Sequence, residues 1–156
     1  MCRMSLEQYK EAERLFEVSF SFAKKKGYRE NRHLENQWAR FLLESRTNTN
    51  DYIDFAQSFN EAHKICLKQI RNEPKSYNPF RVASDYLPFI ERRIADLDNH
   101  ALISTLRSCN ELMRAIRSTD KSIEAHAVVE QGRKSIEKSI EIIVDNLRSK
   151  GYDFVK

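Results

Sequence analysis

Apolar residues recur in this chain at three- and four-residue steps almost from end to end, and most densely in NRHLENQWARFLLES, residues 31–45. Leu34, Trp38, Phe41 and Leu42 fall on one stripe of a helix, and Ala39 and Leu43 widen it toward a second neighbour. An arc that wide must be covered from more than one side. The segment, which holds the only tryptophan, is therefore expected to be the central helix of an all-α domain. Trp38 would face one of the two flanking helices, and Ala39 would let the other come close. Trp38, Ala39, Phe41, Leu42 and, later in the chain, Phe59 are the expected structural residues. Three glycines and three prolines in 156 residues are too few for the many turns of a sandwich or barrel.

The rest of the chain divides on the same periodicity. Tyr9, Ala12, Phe16, Phe20 and Ala23 predict a helix over about residues 5–26. A capping box, Ser5-Leu-Glu-Gln8, would open it. Early glutamates and late lysines complement its dipole, and Gly27 would stop it. The central helix should run over about 31–46, until RTNTND breaks the pattern. Ile53, Ala56, Phe59, His63, Cys66 and Ile70 predict a third helix, capped by Asn50 or Asp51 and ending near Asn72. EPKSYNPF, residues 73–80, reads as an extended loop. A fourth helix follows from Val82, Tyr86, Phe89, Ile90 and Ile94. It either starts near Ser84 with Pro88 in its first turn, or starts near 80 and kinks. Leu102, Leu106, Cys109, Met113 and Ile116 make a near-heptad seam behind a cap at Asp98 or Asn99. The last helix is expected over about 121–149, loosened by Gly132 and closed by Gly151.

The expected fold is thus all-α: about six helices in three antiparallel pairs, as a tetratricopeptide-like solenoid or a compact helical bundle. It would be a single domain over residues 1–156, with the Pro-containing loop between halves 1–73 and 80–150. Hydrophobic residues at 40% and charged residues at 32% fit a folded chain with no membrane association. No apolar run is long enough to span a bilayer, and the first residues have no apolar core of a secretory signal. Three widely spaced cysteines suggest no disulfide framework, so the default location is cytoplasmic. Cys66 and Cys109 lie on apolar stripes and are expected in the core.

Trp38, Ala39 and Leu42, followed by Phe55, Phe59 and Ala62, resemble one degenerate tetratricopeptide repeat, which sets bulky and small residues at fixed places on two helices. More particularly, ENQWARFLLE, AHKICLKQI and PFRVASDYLPF together resemble the helical C-terminal regions of large bacterial multidomain proteins. These are the signal-transduction NTPases and the sirtuin-type effectors of phage defence. That resemblance implies a helical array that senses a trigger or mediates assembly. The chain has no Walker-type phosphate loop and no effector domain, so it would be the helical part or a stand-alone relative. No catalytic residue carries over.

Chemistry is sparse. His33, His63, His100 and His126 form no metal-ligand spacing, and no metal or cofactor is expected. His63 reads as a hydrogen-bonded residue at the core edge. Arg93 and His100 enclose six residues, a spacing that resembles the Arg and His of HEPN-type ribonucleases, in which Arg stabilises phosphate charge and His moves a proton. A surface Arg beside a capping-region His is the plainer account of that pair. Lys24, Lys25, Lys26, Arg29 and Arg32 are candidates for nucleic-acid contact. However, 27 basic against 23 acidic residues, mixed along the helices, make no basic face. Tyr28, Tyr52, Tyr77, Phe80 and Tyr86 stand at predicted helix ends or in the central loop, where a partner could use them. The expected function is contact or sensing without catalysis. The partner would be another protein, another domain of a larger assembly, or a second copy of the chain, and nucleic acid is the runner-up.

Overall fold

The computed structural model describes residues 6–27, 32–48, 55–119, 121–123 and 126–153. They form seven α-helices: α1 Leu6–Lys25, α2 Arg32–Asn48, α3 Phe55–Asn72, α4 Asn78–Ser84, α5 Tyr86–Arg93, α6 Asn99–Arg117 and α7 Ala127–Ser149. Two 3-10 turns, Ile94–Asp96 and Lys121–Ile123, precede α6 and α7. There are no strands among the described residues. Since α4 and α5 are one helix broken at Asp85, this is an all-α bundle of six helices. Ser5, Tyr28, Arg29, Asn50, Asp51 and Tyr52 lie outside the described residues.

Helix ends follow local chemistry where side chains permit. Gly27, at φ +74°, and Gly151, at φ +90°, take the left-handed conformation that ends α1 and α7. The Asp98 carboxylate accepts the Ala101 amide at 2.7 Å and caps α6. His126 Nδ1 accepts the Val128 amide at 3.2 Å, so α7 begins after His126 and not at 121.

The break at Asp85 follows from Pro88. Proline has no amide to bond the Ser84 carbonyl, and its ring crowds that carbonyl. The chain resolves this with two short helices, each with a proline in its first turn: Pro79 in α4 and Pro88 in α5. Ser135 of α7 fills the gap. Its hydroxyl donates to the Ala83 carbonyl at 2.8 Å and accepts the Leu87 amide at 3.1 Å. These two backbone groups would bond each other directly in an unbroken helix. Arg40 of α2 holds the junction from the other side, donating from Nε to Asp85 Oδ2 at 2.9 Å. Burial pushes the Asp85 carboxyl up from its ordinary value, and the Arg40 contact opposes the rise.

The broken helix packs between α2 and α3 on one side and α7 on the other, and α6 closes against α3 and α7. One apolar core runs from Ala39 to Leu147 across both sides of the Pro loop. At its centre Phe59 meets Tyr86 and Phe89, with ring centroids 5.0 and 5.3 Å apart. Gly132 does not loosen α7, as its residue type suggested. It is the point of closest approach, where an added Cβ would stand 2.7 Å from the Phe80 carbonyl oxygen.

Ala39, Leu42 and Phe59 are buried, as expected of structural residues, whereas Trp38 and Phe41 are only half-buried. They face α1, which packs chiefly on α2. The Phe55 side chain, one of the repeat-like positions, is not described. Among the described residues no helix is long and apolar enough to cross a membrane.

Candidate interaction site

The expected contact residues separate on burial. Phe80 and Tyr86 are fully buried, which corrects their assignment as partner-facing aromatics. α4 begins at Asn78, so Phe80 is carried into the core as a helical residue and does not stand in a loop. Tyr77 is 37% exposed and stacks on His126, with centroids 4.0 Å apart. Tyr28 and Tyr52 fall outside the described residues.

The two members of the HEPN-like pair differ in exposure. Arg93 is only 6% exposed and reaches Asp96 at 3.4 Å. His100 is exposed on the first turn of α6, in a depression with Asn99, Ile103, Arg107 and Tyr152. Lys24, Lys25 and Lys26 are exposed at the end of α1, and Lys26 Nζ lies 5.8 Å from the Phe22 ring centroid. Arg29 lies outside the described residues, and Arg32 is placed only as the first residue of α2.

A polar chain missed by pattern reading crosses three helices. His63 Nδ1 lies 3.1 Å from the Tyr86 hydroxyl, and Nε2 lies 3.2 Å from Glu111 Oε2. A carboxylate can only accept, so Nε2 carries the proton and Nδ1 accepts from Tyr86. Arg71 reaches the other Glu111 oxygen at 3.4 Å. Tyr86 is fully buried and burial raises its phenol well above the ordinary value, so this chain ties α3 to α5 and α6, with Glu111 and Arg71 at its solvent-exposed end. Among the described residues the thiols of Cys66 and Cys109 are withdrawn too: burial pushes Cys109 up to about 12 and Cys66 higher still. Among the described residues no three His, Cys, Asp or Glu side chains gather as a metal site would need.

Burial lowers the pKa of His63 below 6.5, against the pull of Glu111. Above the unfolded value both states are neutral at this site. As pH falls below about 6.5 the unfolded chain takes up a proton that the folded chain resists, so stability declines. One such group contributes at most about 1.4 kcal/mol per pH unit. Urea titrations between pH 7.5 and 5 should show this decline, and His63→Gln should flatten it. Equal slopes in both proteins would rule out His63 as its source.

Two surface features involve α1. The first is a stripe of Leu15, Val18 and Phe22, exposed by 52, 53 and 60%. At steps of three and four these residues share one helix face, turned away from the buried Tyr9 and Ala23. The second is a cavity of about 330 Å³ where α1, α2 and α3 meet. Its aromatic wall is Phe16, Phe20 and Trp38, with Phe16 5.2 Å and Phe20 6.3 Å from Trp38 between centroids. Glu17, Glu35 and Glu61 complete it, with Ile65 at its edge. The Trp38 indole N–H donates to Glu61 Oε1 at 2.7 Å. Sequence periodicity placed the aromatics on facing helices, but the carboxylates come from three separate elements and only the fold assembles them.

A wider groove of about 620 Å³ runs over the helix break, with Leu87, Pro88 and Ala127 beneath and Glu130, Lys134 and Lys138 along its rim. Its charges are mixed and define no ligand. No protein-family model, curated protein or solved structure matches the chain.

Proposed function

We propose that this chain is a protein-contact module that acts without catalysis, with α1 as its contact element. The observation that carries this reading is the Leu15–Val18–Phe22 stripe. Every large apolar side chain on α2 to α7 with a described environment is buried or half-buried, apart from Pro88, whereas α1 exposes three on one face; outside the helices Tyr77 and Tyr152 are exposed singly. Contiguous exposed apolar surface of that kind is what a partner covers. The buried thiols of Cys66 and Cys109 and the buried Tyr86–His63 contact are closed to a substrate. With α4 and α5 counted as one helix, each helix packs on those one or two ahead of it, an order compatible with a tetratricopeptide-like stack. The partner fitting the resemblance to bacterial signal-transduction NTPases and sirtuin-type defence proteins is another domain or subunit of such an assembly.

The test is affinity purification from the native host of the wild type and of a Leu15→Glu/Phe22→Glu variant, followed by mass spectrometry. Both residues are exposed, so melting should be nearly unchanged. A partner recovered with the wild type and reduced at least about tenfold with the variant, a loss equivalent to about 1.4 kcal/mol, is the expected result. Identical protein sets would defeat the reading.

A further inference from the structure

We infer that the cavity between α1, α2 and α3 receives the guanidinium of an arginine side chain presented by a partner protein, an assignment that rests on the protein-contact reading above. Three aromatic side chains, Phe16, Phe20 and Trp38, line it with three carboxylates, Glu17, Glu35 and Glu61, and no lysine or arginine is among the described residues that line it. Aromatic faces are the negative part of a ring's charge distribution and attract cations, tryptophan most strongly. Here the indole N–H already donates to Glu61 at 2.7 Å, which shifts electron density toward the ring that a cation would meet. Lys68 answers one carboxylate, reaching Glu35 at 3.3 Å, and the lining keeps a negative balance.

Size and shape select among cations. A volume of about 330 Å³ lies at the small end of ligand cavities, about 300–1,000 Å³. It suits a side-chain head and part of its stem. A planar guanidinium stacks on an aromatic face while its edge donates in pairs to carboxylates, which an ammonium cannot do in one geometry. The tilted walls, with Phe20 edge-on to Trp38 at 82° and Phe16 at 57°, offer both an aromatic face and carboxylate-bearing edges. The occupant is placed on a partner because the same helix, α1, carries both this wall and the exposed apolar stripe.

Trp38 is the only tryptophan in the chain, so its fluorescence reports on the cavity directly. The full-length chain is titrated with a short blocked peptide containing one arginine, with the same peptide carrying citrulline, and with choline. A saturable change in emission is expected with the arginine peptide, with a Kd of about 1 mM or tighter. Citrulline, which keeps the shape and loses the charge, should bind at least about tenfold more weakly. Phe20→Ala should weaken binding by about tenfold, the effect of one desolvated cation–aromatic contact. The isosteric Glu17→Gln/Glu61→Gln variant should weaken it similarly with unchanged melting, which separates recognition from any loosening of α1 in Phe20→Ala. Absence of a saturable change, or equal binding of the citrulline peptide, overturns the inference and leaves the protein-contact reading to its own test on Leu15 and Phe22. Choline binding as tightly as the arginine peptide identifies a small-molecule cation, overturning the side-chain assignment and counting against the contact reading as well.

Discussion

Gly132→Val is expected to destabilise the fold by about 3 kcal/mol or more, at the upper end of overpacking effects. A Cβ at this position would stand 2.7 Å from the Phe80 carbonyl oxygen, 3.0 Å from its Cβ and 3.1 Å from its Cα. Two of those atoms are backbone, so no rotamer change relieves the contact. α4 or α7 must move, and α7 packs against α4, α5 and α6 at once. Alanine makes the sharper control. In an open helix Gly→Ala stabilises by roughly 1 kcal/mol, whereas here it should destabilise despite that gain. Urea denaturation of both variants measures this. A Gly132→Ala protein more stable than the wild type would mean that α7 and α4 can separate at little cost.

Ser135→Ala is expected to cost about 1–3 kcal/mol, the penalty for stranding a buried polar group. The hydroxyl occupies the space that a helical hydrogen bond would fill, between the Ala83 carbonyl and the Leu87 amide. Alanine leaves both without that bridge. A stability loss alone would not distinguish this from ordinary repacking, so the specific reading is hydrogen exchange at the Leu87 amide. Its protection should fall more than the change in global stability predicts. Unaltered relative protection would show that Ser135 does not close the break.

Element identity was legible because each long helix carries an uninterrupted apolar stripe. Leu102, Leu106, Cys109, Met113 and Ile116 are all buried on α6, as their near-heptad spacing requires. Gly27, Asp98 and Gly151 act at the helix ends where their residue types pointed. Boundaries were less legible. RTNTND was expected to stop α2, yet the helix continues to Asn48. The last helix was expected from about 121, but a 3-10 turn and a His126 cap delay it. The two choices for Pro88 were each half of the answer, because Ser135, about 50 residues away in sequence, makes a break tolerable that local rules treat as a kink or a start. Phe80 and Tyr86 were misplaced for a related reason. Pro79 reads as a loop residue beside Pro74, but it also fits the first turn of a helix, and that reading carries Phe80 into the core. Of the candidate site, Trp38 and its facing aromatics were visible as a pattern. The carboxylates were not, since Glu17, Glu35 and Glu61 look like ordinary solvated positions until three helices converge.

The uneven anchoring of α1 has a thermodynamic consequence. Of its side chains with a described environment only Tyr9 and Ala23 are buried, and its aromatics share half-exposed contacts with Trp38 and Phe41. Releasing α1 therefore exposes much less apolar surface than releasing α7, so its amides should exchange through a local opening well below the global free energy. The cavity exists only while α1 is seated. Any occupant that bridges Phe16 and Phe20 to Trp38 and Glu61 binds the closed form alone, and by mass action it raises the free energy of that opening. The first helix would in this sense report on such an occupant, with slowed exchange along α1 as the signal and the remaining bundle as the internal reference.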